Sequence, residues 1–461
     1  MYLPPDCQAI QMALPQRRQR LSELIDIPVV LWSGRYSPRN FPANTYPFRA
    51  SSHFLYFAGL PLENAAIRLE GERLELFLDE APAGNALWHG EMPQPSDIAE
   101  WIGADGVFPH TELEARAQGA ATVRVQHPET QAQQVRILQR SVPAPPQSTG
   151  IDRALVEAIV TLRLTHDQGG LAELRKAGAV TVAAHKAGMA ATQIASLEAG
   201  VRGTMEGVIL SHNMTCSYNS IVTVHGEVLH NEQYCHPLQP GNLLLADVGA
   251  ETPLGWAADV TRTWPVSGQF SPTQREIYQI VLAAHDACIE QIKSGVEYQE
   301  IHLLGARVIA AGLVDLGILR GAVEDLVEQD AHALFFPHGI GHVLGLDVHD
   351  MEDLGDLAGY AAGRRRSQRF GLKFLRLNRP LKAGMLVTIE PGFYQVPGIL
   401  NDSKNRDRYH NLVNWERLDQ FSDVRGIRIE DDVWVTETGT EVLTRDLPTQ
   451  LEEIETLINH R

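Results

Sequence analysis

Four acidic residues stand where a strand should be apolar: Asp247 in LLLADVGA, Asp259 in WAADVTRTW, Glu390 in MLVTIEPGFY and Glu430 in GIRIEDDVWV. No other feature constrains the folding of this chain more. A carboxylate carried into a sheet interior must find a positive partner, because burying it unpaired costs several kcal/mol or neutralises it. The segment FFPHGIGHVLGLDVHD, residues 335–350, is the natural place to look, with His338, His342 and His349 set among glycines and apolar residues. A histidine in such surroundings is ordinarily a hydrogen-bonded structural residue. Each acid also has an ordinary reading: Glu390 can end a strand before Pro-Gly, and Glu430 can pair with the neighbouring arginines. Together, four buried acids and an imidazole make a ligand set for two divalent metal ions, whose charge four carboxylates would cancel. Oxygen-rich ligation with one histidine favours Mn2+, with Zn2+, Co2+ and Fe2+ as alternatives. A turn centred on Pro253 would place Asp247 and Asp259 opposite each other across a hairpin, with Cβ atoms about 4.5–5.5 Å apart. Such like charges call for cations between them, unless the register differs or one acid faces solvent.

The chain has 461 residues, enough for two domains. An amphipathic helix is expected over residues 8–25. Strand-like runs follow at PVVLWSG, HFLYFAG, AAIRLEG and RLELFLDE, with helical stretches up to Gln139. This is an α/β pattern. The Pro- and Ser-rich SVPAPPQSTG, residues 141–150, reads as a linker. A helical region begins at Ile151, and SYNSIVTVHGEVLH turns strand-like. The runs holding Asp247 and Asp259 are two strands joined by TPLG. A helix-rich stretch, about 272–328, leads into the histidine segment. Two polar inserts, 351–383 and 396–424, flank the strand MLVTIEPGFY, and IRIEDDVWVT is a final strand. The expected domains are therefore 1–140 and 151–461.

Composition excludes several classes. A formal net charge of −18, with GRRRSQR at 363–369 as the one basic cluster, argues against nucleic acid as a partner. No apolar run is long enough to span a bilayer, and IDIPVVLWSG lacks a cleavage signature after it, so no membrane partner and a cytoplasmic location are expected. Cys7, Cys216, Cys235 and Cys288 show no CxxC spacing, which suits reduced thiols.

Seven stretches in order resemble the metallopeptidase family with the pita-bread fold, in its proline-peptide branch of Xaa-Pro aminopeptidases (aminopeptidase P) and Xaa-Pro dipeptidases (prolidase). They are SYNSIV, VLHNE, LLADVGAE, DVTRTWPV, HGIGHVLGLDVHD, LVTIEPGFY and GIRIEDDVWVT; YPFRASSHFLYFAGL resembles the family's amino-terminal domain. The resemblance implies an α/β (α+β) architecture: a smaller creatinase/aminopeptidase-P-type domain, used for site walling and oligomerisation, before a pita-bread catalytic domain. It implies Asp247, Asp259, His342, Glu390 and Glu430 as metal ligands, with Asp259 and Glu430 spanning both ions. It makes His230, His338 and His349 substrate-binding and catalytic histidines, places Arg428 in support of the site, and sets Tyr218 and Thr261 behind the ligands. Two departures stand out. The hairpin between the aspartates holds an extra residue, and GLKFLRLNRPLKAGM looks closer to the dipeptidases.

An X-Pro bond escapes most peptidases because proline has no N–H and a fixed φ. The activity implied is hydrolysis of the bond between an N-terminal residue and proline in peptides, by water activated between two metals. Glu390 would take the proton from that water, and His349 would help stabilise the oxyanion. The alternative is a dipeptidase with the same chemistry, which would need an arginine for the carboxylate after proline. The arginines of insert 351–383 (Arg364, Arg365, Arg366, Arg369, Arg376 and Arg379) are expected to face solvent, leaving the site open. A metal-free scaffold or creatinase-like hydrolase is disfavoured because all five ligand positions are filled. The amino-terminal domain argues against a simple methionine aminopeptidase and for a homodimer or homotetramer.

Overall fold

The computed structural model describes residues 7–459, and they fall into two compact units. One holds the chain up to residue 173 together with 253–256 and 351–358. The other holds 174–252, 257–350 and the chain from 359 onward.

In the first unit the helix Gln8–Leu24 forms as expected and buries Ile10, Leu14 and Leu21. It also buries Arg17, whose guanidinium donates to Asp167 at 2.7 and 3.0 Å and to the Tyr56 carbonyl at 2.9 Å. A four-stranded sheet runs in the order Val29–Trp32, Ala66–Glu70, Arg73–Phe77, Gly106–Phe108. The first three strands are antiparallel and the last joins in parallel. Val30, Trp32, Ala66, Phe77, Leu113 and Leu138 form its core on one side. The run HFLYFAG corrects the expectation of a strand: it lies in a helix, Ser52–Ala58, that Gly59 ends at φ 70 with its N–H on the Leu55 carbonyl. A short all-apolar run carries no period, so burial on every side decides its form; all seven residues of this helix are buried. The stretch 141–150 contains a 3-10 turn, Pro145–Gln147, and runs into the helix Gly150–Arg163.

In the second unit the helix Pro272–Gln291 opens with a capping box between Ser271 and Gln274. It packs on Tyr298–Asp315, where Gly312 lets Ile280 come so close that an added Cβ would lie 2.5 Å from its side chain. One antiparallel sheet has the order Thr261–Pro265, Leu243–Asp247, Ile221–Thr223. The strand expected over SYNSIVTVHGEVLH is confined to Ile221–Thr223; beyond it the chain turns, with the Val228 N–H on the His225 carbonyl.

The two remaining strand expectations are each corrected to two strands. MLVTIEPGFY forms Leu386–Ile389 and Gly392–Tyr394, and the final run forms Gly426–Arg428 and Asp431–Val435. The breaks fall at the glutamates, where Pro391 has no N–H to give a ladder. One register runs through the break: Ile389 pairs with Asp431 on one side and Gly392 with Arg428 on the other. Glu390 and Glu430 therefore face each other at the interruption.

Candidate metal centre

Asp247 ends the central strand of its sheet, with Thr261 and Ile221 as its Cα partners. This corrects the expected pairing with Asp259. Bonds from the Val248 N–H to Val260 and from the Ala258 N–H to Ala250 continue the same register, so the hairpin turns about Leu254 rather than Pro253. The aspartates are offset, and a tyrosine joins them. The Tyr218 hydroxyl lies 2.5 Å from Asp247 Oδ1 and 2.6 Å from Asp259 Oδ1. One hydroxyl proton serves one of these oxygens, so the arrangement draws a further proton or cation to the pair.

His342 is set by its backbone. Residues 340–343 run beside Leu386–Ile389, with the Thr388 N–H on the His342 carbonyl and the Glu390 N–H on Ile340. Gly341 makes this approach possible, since a Cβ there would lie 2.1 Å from the Thr388 carbonyl oxygen. The Nδ1–H of His342 donates to its neighbour's carbonyl, Val343, at 3.1 Å. Nε2 is left facing Asp259 Oδ2 at 3.2 Å and Glu390 Oε1 at 3.9 Å. An imidazole tethered through one nitrogen presents the other as a ligand.

Arg428 and Thr261 hold the acids from behind. The buried Arg428 donates to Asp247 Oδ2 at 2.6 Å, to Thr261 Oγ1 at 2.9 Å and to the Tyr394 hydroxyl at 2.9 Å. Thr261 in turn donates to Glu430 Oε2 at 2.7 Å. Tyr394 continues the chain to His338 Nε2 at 2.9 Å, and His338 Nδ1 donates to the Gly339 carbonyl at 2.8 Å. Burial, with Arg428 nearby, pushes His338 down to about 3, so its imidazole is neutral and its tautomer is set. Sequence reasoning assigned no role to Tyr394, although it closes the quoted motif LVTIEPGFY. It also passed over Asp432, which accepts from the Asp259 N–H at 3.3 Å, and Arg262, which donates to the Glu430 carbonyl at 2.6 Å. The triple acid EDD and the lone arginine of DVTRTW were their signals.

The electrostatics fit a cation. Burial pushes Glu390 up to about 7, against the pull of His342 and Arg428. Burial raises Glu430 further, with Asp259 and Glu390 adding to the rise. Asp247 is pushed up to about 6 by burial despite Arg428. Burial acts on Asp259 in the same sense and is the largest single influence, but the bond and charge of His342, the Tyr218 hydroxyl and His349 together outweigh it and leave it below the usual range. Asp259, His342 and Glu430 bring ligand atoms within 4.8 Å of one another, and Asp247 and Glu390 border the same cavity. Carboxylates and one imidazole are the donor chemistry of a hard or borderline divalent ion.

That cavity, about 470 Å³, is also lined by His230, His338, His349 and Arg428. His349 is half-buried, its ring edge-on to His342 at 4.4 Å between centroids. His230 keeps much of its surface exposed, and the partial burial of its ring, with Arg428 and Arg376 nearby, lowers its pKa. The expectation that the insert's arginines all face solvent is corrected for Arg376 and Arg379, which are half-buried; Arg366 is exposed as expected and lines the cavity together with Arg376. Arg364 instead pairs with Glu297, Arg369 with Asp330, and Arg379 donates to the Tyr360 carbonyl. Arg365 is exposed. The wall contact follows from Gly339, whose missing side chain lets residues 374–376 lie against the histidine segment.

Residues 172–437 match the model of metallopeptidase family M24, and residues 14–126 match that of the aminopeptidase P N-terminal domain. A probable Xaa-Pro aminopeptidase PEPP of Fusarium vanettenii is 33% identical over 425 residues, 88% of this chain and 86% of its own length. One of Talaromyces stipitatus is 32% identical, covering 90% and 88%. Among solved structures, aminopeptidase PepP of Pseudomonas aeruginosa superposes with a TM-score of 0.79 at 27% identity, over 97% of this chain and 98% of that one. Aminopeptidase P from E. coli with the inhibitor Pro-Leu superposes with a TM-score of 0.78 at 28% identity, with the same coverage.

Proposed function

The chain belongs to metallopeptidase family M24, and on that premise we propose that it is a metal-dependent aminopeptidase hydrolysing the bond between an N-terminal residue and a following proline. One observation carries the reading: Asp259, His342 and Glu430 meet in a cavity that Asp247 and Glu390 also line. These five residues would hold two divalent cations, with Mn2+ the first choice, supplying Lewis acidity toward the scissile carbonyl and toward water.

The side chains divide the remaining work. Glu390 takes the proton from the attacking water. His349 donates to the oxygen that gains charge, where a well-placed donor is worth about 3–4 kcal/mol. His230 steadies the substrate near proline. His338 has both ring nitrogens engaged, so it meets the substrate with its ring rather than with a hydrogen bond. That suits a proline, which has no N–H to offer. Arg428, Thr261 and Tyr218 keep the acids in place.

The same proposal includes a functional division at residues 141–150, between an amino-terminal domain over 1–140 and a peptidase domain over 151–461. It also includes a homodimer or homotetramer in the cytoplasm, with the amino-terminal domain walling the neighbouring subunit's site.

The dipeptidase reading has one observation in its favour, the presence of Arg366 and Arg376 on the cavity wall, since an arginine could take the carboxylate that follows proline in a dipeptide. Kinetics on Ala-Pro, Ala-Pro-Ala and a five-residue X-Pro peptide separate the two. The aminopeptidase cleaves the longer peptides with kcat/KM no lower than for Ala-Pro; activity confined to Ala-Pro makes it a dipeptidase. Chelation should abolish cleavage, and Mn2+ should restore it best. Full activity after verified removal of divalent metal defeats the proposal.

A further inference from the structure

The cavity has an apolar wall that the chemistry above does not use. Phe374 comes from the first insert, Val396 and Ile399 from the start of the second, and Leu229 precedes His230. Phe374 is 52% exposed, so its ring keeps apolar surface that a ligand side chain could cover. Its position is nevertheless held. A Cβ built on Gly339 would lie 3.1 Å from Leu375 Cα and 3.2 Å from the Phe374 carbonyl oxygen, so the backbone at 374–376 rests directly against Gly339, the residue after His338. Upstream, His302 Nε2 bonds the Gly371 carbonyl at 2.7 Å, and Arg369 bonds Asp330 Oδ1 at 2.9 Å. A Cβ on Gly371 would lie 2.8 Å from both Asp330 Oδ1 and His332 Nε2, so no side chain fits there and the root of the stretch is packed tight. The ring is thus presented to the cavity from an anchored segment.

Which part of a substrate meets it follows from the ligands. The amino end and the scissile carbonyl are drawn to Asp259, His342 and Glu430, so the chain beyond proline must run along wall that supplies no ligand. Residues 374–376 adjoin Gly339, the neighbour of His338, and Arg376 is close enough to His230 to lower its pKa. In the aminopeptidase reading above, both histidines serve the proline end of the bound peptide.

We propose that Phe374, with Val396 and Ile399, forms an apolar subsite for the side chain of the residue after proline, so that among longer peptides this enzyme selects those with a large apolar third residue. The proposal rests on the Xaa-Pro aminopeptidase reading. A third residue that fills the subsite gains by removing apolar surface from water on both sides, and an apolar pocket discriminates by roughly 10–200-fold per added group.

The test uses the metal-loaded full chain and the amides Ala-Pro-X-NH2 with X = Gly, Ala, Leu or Phe. The amide removes the terminal carboxylate, so Arg366 and Arg376 cannot set the order. In the unaltered enzyme kcat/KM should be about tenfold higher for Leu and Phe than for Gly. Phe374→Ser should compress that ratio to below about threefold, whatever its absolute rate, and Phe374→Leu should largely keep it, as expected for loss and retention of an apolar wall. Equal metal content in the three proteins shows that the centre is intact. A ratio below about threefold in the unaltered enzyme, or an undiminished ratio in Phe374→Ser, overturns the subsite. Absence of cleavage of every X-Pro peptide by the metal-loaded protein instead overturns the reading on which it rests.

Discussion

Glu430 and Asp431 are neighbours in the chain and both are almost fully buried, yet their surroundings drive them in opposite directions. Burial raises Glu430 well above the carboxylate range, and Asp259, Glu390 and Asp247 add to the rise. Burial acts on Asp431 in the same sense, but Arg262, His285 and Thr444 outweigh it and hold it below the range. Arg262 takes both Asp431 oxygens at 2.9 and 3.0 Å, and Thr444 donates to one at 2.5 Å. Consecutive residues of an extended chain point to opposite faces. One face of this strand is therefore a completed ion pair and the other a cluster of acids short of positive charge. The first unit repeats the completed form at Arg17 and Asp167, where the acid is again held low against burial. A buried acid whose charge the protein balances itself supports the fold. One whose charge it leaves unbalanced is prepared for something that arrives later.

The sharpest way to break this comparison is substitution on the two faces. Asp259→Asn and Glu430→Gln should lower bound metal, measured by elemental analysis, and bring X-Pro turnover to the level of chelated enzyme. With metal stripped, Glu430→Gln should melt at the same temperature as the unaltered protein or higher, because it removes an uncompensated buried charge. Asp431→Asn should behave in the opposite way. It should cost about 3–5 kcal/mol of stability in denaturant unfolding, since it leaves Arg262 buried with its partner lost, while folded molecules still take up metal. If Asp431→Asn empties the site and remains stable, the two faces do not differ as described.

Within the cavity face, a ligand and a donor should also separate. His342→Ala should lose metal. His349→Ala should keep it and slow turnover by roughly 10²–10³, the scale of one lost oxyanion donor. The reverse pattern in metal content would mean that the two histidines have exchanged roles.

Much of this site was legible in the chain because its chemistry opposes its surroundings. Acids inside apolar runs, and histidines beside glycines, are conspicuous wherever the backbone takes them, and the ligand candidates all border one cavity. Geometry was less legible. The Asp247–Asp259 pairing depended on the exact turn, and a shift from Pro253 to Leu254 moved Thr261 opposite Asp247 instead. The acids that do face each other, Glu390 and Glu430, come from strands separated by an insert, so no local turn signals their pairing. Tyr394 and Arg262 looked like ordinary strand residues, because their roles arise from contacts 34 and 168 positions away along the chain. The helix Ser52–Ala58 was misjudged for a different reason: a run buried on every side has no period to read.

The smallest effect is expected from a third kind of acid, which is neither buried nor unbalanced. Glu297 pairs with Arg364 at 2.5 and 2.9 Å, and both side chains are more than a third exposed. The hydrogen bond from Arg364 holds Glu297 below its ordinary value. A carboxyl depressed in the folded state contributes stability above its unfolded pKa, about 4.3, and loses that contribution as pH falls through the folded value. Solvent screens an exposed pair, however, so Glu297→Gln should cost no more than about 0.5 kcal/mol at neutral pH. The cost should fade as pH falls through the folded value of Glu297, below which both proteins carry a neutral side chain, and also at ~1 M salt, where the screening length is only about 3 Å. Metal content should not change. A loss above about 1.5 kcal/mol that persists in high salt would exceed the range of exposed pairs. Partner geometry, rather than burial, would then decide what an acid contributes here, and the contrast between Glu430 and Asp431 would need another cause.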